Sequence, residues 1–174
     1  MRNLEAKFLV QDPSATQIAA IAIGYLPQGL LRQHDTFFKI ASGSLKLREE
    51  EGRAYLVGYL RSDDGALQSS EYELVVVHDA VAMKRLLAGT LGVLAEMRKQ
   101  RTVLVHDNLR LHLDQVEGLG NYGEIKAAIN EGDDPEAARV AVERTLAGLG
   151  VERAALIADS YCELIPRDAW NVVP

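Results

Sequence analysis

The stretch Met97–Ile129, MRKQRTVLVHDNLRLHLDQVEGLGNYGEIKAAI, decides the fold. Polar and apolar residues alternate through it with a period of two, the pattern of half-buried strands rather than helices. It divides into Met97–His106, Leu109–Val116 and Asn121–Ile129, and Asp107-Asn108 makes a tight turn between the first two. The same alternation recurs upstream in Arg2–Gln11, Thr36–Ala41, Leu45–Glu49, Ala54–Arg61 and Gln68–His78. Ser42-Gly43 reads as a hairpin turn. Asp63-Asp64-Gly65 reads as another, because Asp-Gly between alternating segments suits the left-handed dihedrals of tight hairpins.

Three segments break the alternation. Asp12-Pro13-Ser14 offers a cap and a first-turn proline for a helix ending near Gly24. Asp79 can cap Ala80–Leu91, which Gly92 terminates, and Asp134-Pro135 opens a helix over Glu136–Leu149 that Gly150 ends. In that last helix Ala138, Val140, Ala141, Leu146 and Leu149 are the apolar positions for packing on the body. Ser160–Ile165 reads as a short extended piece. Eight mostly antiparallel strands, with helices at the margins and in one crossover, predict an α+β fold. Its body is a closed eight-stranded antiparallel β-barrel with the helices packed outside.

Length and composition narrow the class. The 174 residues suit a single domain, residues 1–174, and 48% hydrophobic with 25% charged residues argues against disorder. Cys162 is the single cysteine, so an internal disulfide and a cysteine-built zinc site are excluded, and the thiol is expected to be packed. No apolar run approaches the ~20 residues of a membrane span, and the N-terminus turns polar too soon for a signal peptide. The expectation is a cytoplasmic monomer or homodimer. His34, His78, His106 and His112 lack the spacing of a shared metal site. Gly118 and Gly120 lack the helix and Lys-Ser/Thr of a phosphate loop and read as a turn. Glu49-Glu50-Glu51 reads as a solvated hairpin tip.

The net charge of −6, from 19 Lys+Arg and 25 Asp+Glu, speaks against a nucleic-acid partner. Its distribution is uneven. Residues two apart on a strand share a face, and such pairs recur: Glu5/Lys7, Lys46/Arg48, Lys99/Arg101, Glu124/Lys126 and Arg110/His112/Asp114, with Arg61 ending its strand alongside Tyr59. Eight cations (Lys7, Lys46, Arg48, Arg61, Lys99, Arg101, Arg110, Lys126) and three carboxylates give this face +5, which leaves −11 for the rest of the chain. Any one pair is a solvated strand face on the bland reading. As a set turned into a lumen, they repel one another unless an anion is present, and a small polyanion such as a triphosphate answers that need. Glu5 and Glu124, each beside a lysine, are of the type that holds Mg²⁺ or Mn²⁺ against phosphate.

These residues also fall into an ordered series that resembles the CYTH family, the triphosphate-tunnel proteins that include class IV adenylate cyclases and thiamine- and inorganic triphosphatases. Asn3-Leu4-Glu5-Ala6-Lys7 is similar to the family's ExExK signature. Gln33-His34-Asp35-Thr36-Phe37-Phe38 resembles its Q-x-D-T-Y/F-F segment, and Leu45-Lys46-Leu47-Arg48 its LKLR strand. Tyr59-Leu60-Arg61, Ser70-Glu71-Tyr72 and Lys99-Gln100-Arg101 resemble Y-x-R, S-x-Y and K-x-R. His112–Gly120 is close to HLDxVxGLG, and Glu124-Ile125-Lys126 stands at the E-x-E strand. The similarity runs from Arg2 to about Cys162.

The resemblance implies an eight-stranded tunnel binding a triphosphate. It puts Lys7, Lys46, Arg48, Arg61, Lys99 and Arg101 on phosphate, to which the strand-face reading adds Arg110. It puts Glu5 and Glu124 on Mg²⁺ or Mn²⁺, and Asp114 near the metal or a cation. Lys7 is also the candidate base, should neighbouring cations depress its pKa. Substrates of this type are ATP, inorganic triphosphate or thiamine triphosphate, converted by cyclisation to cAMP or by hydrolysis, with neither nucleic acid nor membrane as partner. Asn3 and Lys126 depart from the pattern, each standing where it has a glutamate, and Gln68 stands where cyclase-like sequences tend to have lysine. Asn3 and Lys126 favour an alternative, a non-catalytic triphosphate-, polyphosphate- or nucleotide-binding protein with a degenerate metal site.

Overall fold

The computed structural model describes residues 2–61 and 67–165, without the side chain of Arg61. Eight strands form a closed barrel: β1 (Arg2–Leu9), β2 (Leu26–Phe38), β3 (Ser44–Glu50), β4 (Arg53–Arg61), β5 (Gln68–Val76), β6 (Val93–His106), β7 (Leu109–Val116) and β8 (Gly120–Ile129). Around the barrel they run β1-β5-β4-β3-β2-β6-β7-β8, every pair antiparallel, and β8 closes on β1. The α+β barrel expected from the alternation is the fold found. The turn expected at Asp63-Asp64-Gly65 lies outside the described residues.

Two strands are longer than the alternation suggests. β2 starts at Leu26 rather than Thr36, and β6 at Val93 rather than Met97. Pro27 and Gly29 ordinarily punctuate a strand. Here they sit at a register shift between β2 and β6, and Gly29 adopts φ +141°, so the irregularity absorbs both residues without ending the pairing. The first residues of β2 are exposed and therefore carry no in–out pattern to read.

The helices cover the apolar outer faces of the strands. Helix α1 (Pro13–Ala22) starts where Asp12 accepts hydrogen bonds from the backbone N–H groups of Ser14 and Ala15 at 2.9 and 3.0 Å. Helix α2 (Ala80–Leu91) is capped by Asp79, and α3 (Pro135–Gly148) by Asp134. One core packs α1 and α3 on β1, β6, β7 and β8, with Phe8, Tyr25, Leu104, Leu111, Ile125 and Val142 almost wholly buried. In α3 the buried valine is Val142, while Val140 is exposed, since the helix turns Ala138, Val142, Thr145 and Leu146 to the barrel. A second cluster puts Met83 and Leu87 of α2 on Phe38 and Leu47.

Tyr161–Leu164 is a helical turn, α4, and not the extended piece expected for Ser160–Ile165. Ser160 and Glu163 form a reciprocal capping box: the Ser160 hydroxyl accepts from Glu163 N–H, and the Glu163 carboxylate from Ser160 N–H. The Ser-x-x-Glu spacing encodes that turn, and the apolar neighbours conceal it.

Gly123 of β8 lies directly across from Phe8, whose ring covers it so closely that a Cβ on residue 123 would overlap ring atoms. Gly123→Ala is expected to destabilise the fold by about 1–3 kcal/mol, as overpacking does. Thermal unfolding should show it as a Tm drop of roughly 2–4 °C per kcal/mol.

Candidate functional site

With apolar side chains turned outward, the period of two turns the charged ones inward. They line a lumen cavity of about 330 Å³. β1 contributes Asn3, Glu5 and Lys7, β3 Lys46 and Arg48, β6 Lys99 and Arg101, β7 Arg110 and His112, and β8 Glu124 and Lys126. Ser70 and Tyr72 of β5, Tyr59 of β4, and Ser160 and Tyr161 add polar groups, and Phe37, Val57 and Leu74 add apolar wall. Arg61 ends β4 across from Ser70, and its side chain lies outside the described residues. A larger, more open depression of about 840 Å³ lies at the opposite end, around Gln33, Glu49–Glu51 and Arg98. It mixes both signs of charge, so volume alone does not locate the chemistry.

Two aspartates organise the cations. Asp35 lies directly across from Arg48 in the β2–β3 register, and Asp114 directly across from Arg101 in the β6–β7 register. Arg48 donates from Nε and Nη2 to Asp35, both at 2.7 Å, and Lys46 Nζ adds a bond at 3.0 Å. Arg101 donates in the same way to Asp114, both at 2.6 Å, with Lys99 Nζ at 3.1 Å. The lumen thus contains the same Lys-x-Arg fork on aspartate twice. Asp114 is thereby a partner of cations, and it also accepts from Tyr161 Oη at 2.8 Å.

Burial pushes both aspartates up, but the neighbouring cations outweigh it and hold them below the ordinary carboxylate range. The lysines shift the other way. Burial, then Arg48, brings Lys46 down to about 8, and burial, then Arg101, depresses Lys99 well below its usual value. Charged amines so disfavoured gain most from an arriving anion. Lys7 Nζ donates to the Asp159 carbonyl at 2.8 Å and lies 4.4 Å from the Tyr161 ring centre, with Lys99 at 4.6 Å. Arg110 is exposed beside Asn108 at the mouth.

The pair Glu5 and Glu124 is bridged. Lys126 Nζ lies 2.9 Å from Glu5 Oε1 and 3.5 Å from Glu124 Oε2. Glu5 Oε1 also accepts from the Ser70 hydroxyl at 2.7 Å, and Glu124 Oε2 is 3.4 Å from Arg101 Nη2. Burial raises the pKa of both glutamates, yet Lys126 beside them keeps both below the ordinary value. His112 Nδ1 approaches Glu124 Oε2 at 3.5 Å without hydrogen-bond geometry.

Asp35, Ser70 and Tyr161 were not among the residues assigned a site role from sequence. The one sequence signal for Asp35 is its place in the Gln33-His34-Asp35-Thr36 segment that resembles the family's Q-x-D-T pattern. Ser70 and Tyr161 reach the site only through the barrel's closure and the docking of α4.

The chain matches the CYTH domain over residues 1–161 and belongs to that family. No curated protein matches it. Among solved structures, the PH1012 protein of Pyrococcus horikoshii OT3 is 21% identical, with 94% of this chain and 99% of that chain covered and a TM-score of 0.87. A candidate adenylate cyclase from Vibrio parahaemolyticus is 19% identical over 94% of this chain and 97% of that one, with a TM-score of 0.74. A candidate adenylyl cyclase from Hippeastrum with a dominant triphosphatase activity is 19% identical over 86% and 88%, with a TM-score of 0.61. These likenesses confirm the barrel. The family is generally metal-dependent. The donor set here does not fit a divalent cation between Glu5 and Glu124, because an ammonium already bridges them. Among the described residues no group of three or more His, Cys, Asp or Glu is placed to hold a metal.

Burial, and then the Arg101 charge, lower His112 to about 3, so it is neutral in the fold and protonates near pH 6.5 when unfolded. Stability is therefore complete above that value and falls with pH toward about 3, by up to about 1.4 kcal/mol per unit. Urea midpoints are expected to drop between pH 6.5 and 5, and His112→Gln to flatten the drop.

Proposed function

We propose that this chain binds the triphosphate of a small molecule in the barrel lumen and acts on it, by hydrolysis or by cyclisation of ATP. One observation carries the reading: seven described cations, Lys7, Lys46, Arg48, Lys99, Arg101, Arg110 and Lys126, converge on one cavity against four carboxylates, Glu5, Asp35, Asp114 and Glu124, leaving +3. Burying like charges is costly, and a row of phosphates offsets that cost along the lumen.

The forks on Asp35 and Asp114 hold Arg48 and Arg101 rigid while leaving other guanidinium N–H groups for phosphate oxygens. Lys46 and Lys99 supply point charges beside them. In hydrolysis, water oxygen bonds to the terminal phosphorus as the bridging P–O bond breaks, the departing diphosphate end takes the electron pair, and the water proton passes to solvent or to a product phosphate oxygen. In cyclisation, the ribose 3′-oxygen bonds to the α-phosphorus, its proton passes to solvent or to the departing pyrophosphate, and pyrophosphate leaves with the electron pair of the broken P–O bond. In either case the cations stabilise charge growing on phosphate oxygens without reorganising. Lys7 belongs with the phosphate cations: its ammonium donates to a carbonyl and faces an aromatic ring, the arrangement of a protonated amine. Binding without turnover is the second reading, favoured by Lys126 bridging Glu5 and Glu124.

Assays with ATP, inorganic triphosphate and thiamine triphosphate in Mg²⁺, Mn²⁺ or EDTA, following cAMP and phosphate, decide between them. Turnover of at least one substrate is expected, and tight binding without turnover on any would leave the second reading. Arg48→Ala and Lys99→Ala are each expected to weaken triphosphate affinity by about tenfold or more in calorimetric titration. Unchanged affinity in both would place the ligand elsewhere.

A further inference from the structure

We propose that the Lys126 ammonium takes the place a divalent cation would need between Glu5 and Glu124, so that this lumen receives a triphosphate free of metal. The inference rests on the triphosphate reading above and concerns the form in which the ligand binds.

The register brings the four residues together. Glu5 lies directly across from Lys126, and Lys7 directly across from Glu124, where β8 closes on β1. Glu124 and Lys126 are two apart on one strand, so their side chains share the lumen face. The four residues form a checkerboard in which each carboxylate has a lysine across from it. Lys126 Nζ then falls within 2.9 Å of Glu5 Oε1 and 3.5 Å of Glu124 Oε2. Ser70 and Arg101 take further acceptor capacity on the same two oxygens.

A hard divalent ion asks for about six oxygen ligands, at about 2.0–2.1 Å for Mg²⁺. Reaching both carboxylates here would press it against the ammonium, with like-charge repulsion strengthened by burial. Asn3 adds only one neutral oxygen from the adjacent inward position of β1. The ammonium has three donors, of which one is engaged by Glu5 while Glu124 stands at ion-pair distance, and the Lys126 side chain keeps 25% exposure on the cavity. That leaves a donor for a phosphate oxygen. A free triphosphate also carries more negative charge than its metal complex, which suits a lumen whose cations outnumber its carboxylates.

The test is calorimetry with inorganic triphosphate in EDTA and then in excess Mg²⁺, alongside Mn²⁺ electron paramagnetic resonance of the ligand-free protein. Wild type is expected to bind in EDTA, with affinity unchanged or lowered by Mg²⁺, and to leave equimolar Mn²⁺ as the free ion. Lys126→Glu is expected to lose more than about tenfold of the EDTA affinity and to bind Mn²⁺. Should that variant not fold, Lys126→Gln keeps the length without the charge, and the same loss in EDTA is expected. Wild-type binding that requires metal, or wild-type capture of Mn²⁺, overturns the inference and leaves the triphosphate reading standing. Unchanged EDTA affinity in Lys126→Gln also overturns it. Absence of binding in both EDTA and Mg²⁺ overturns both.

Discussion

The structure depends on two buried forks, Arg48 on Asp35 and Arg101 on Asp114. A barrel interior lined with lysine and arginine is an unfavourable place to put a chain. It is tolerable because each fork neutralises part of the charge and satisfies the guanidinium donors that face the wall. Breaking such a buried pair by removing one partner typically costs about 3–5 kcal/mol, since the survivor is left charged and dry. What remains after the pairing is a cation surplus with fixed geometry, and that surplus is the binding site proposed above. Stability and function thus draw on the same residues.

Register is what makes the forks possible. Asp35 meets Arg48 and Asp114 meets Arg101 because each stands directly across from the other on neighbouring antiparallel strands. A slip of one residue would send these charges outward and drive Leu47, Leu111 and Ile125 into the lumen, so both faces specify the same pairing. The interior is shared: Phe37, Ala95, Met97 and Val116 lie on the same strand faces as the charges and pack with Tyr161 and Cys162 at one end, while Phe8, Leu104, Leu111, Ile125, Phe38 and Leu47 face out. The outward set needs a cover, which α1, α2 and α3 provide. The helices are a requirement of the polar interior rather than an addition to the barrel.

Membership of the CYTH family fixes the architecture, and the β1–β8 seam shows what one departure from the family's sequence pattern does within it. There a carboxylate pair is bridged by Lys126 at the point where a hard cation would otherwise be drawn. The same cross-strand geometry that could gather ligands for a metal gathers a salt bridge instead. One position, filled by lysine rather than a carboxylate, changes what the seam attracts.

The alternation in Met97–Ile129 and its upstream counterparts by itself determined most of the strands, their antiparallel succession and the shared strand faces of Glu5/Lys7, Lys46/Arg48, Lys99/Arg101 and Glu124/Lys126, while closure of the barrel turned those faces inward. Capping residues determined three helices. Those features are local, since period and caps act over a few residues. The early part of β2 was hidden because Leu26–Leu30 is exposed and carries no alternation, and α4 because a capping box lay among apolar neighbours. Only the tertiary structure decided which charges meet: that Asp35 and Asp114 anchor the forks, that Tyr161 enters the lumen, and that Lys126 sits between Glu5 and Glu124. The Arg48–Asp35, Arg101–Asp114, Tyr161–Asp114 and Lys126–Glu5 contacts join residues 13 to 121 positions apart, and only register and closure of the barrel bring them together.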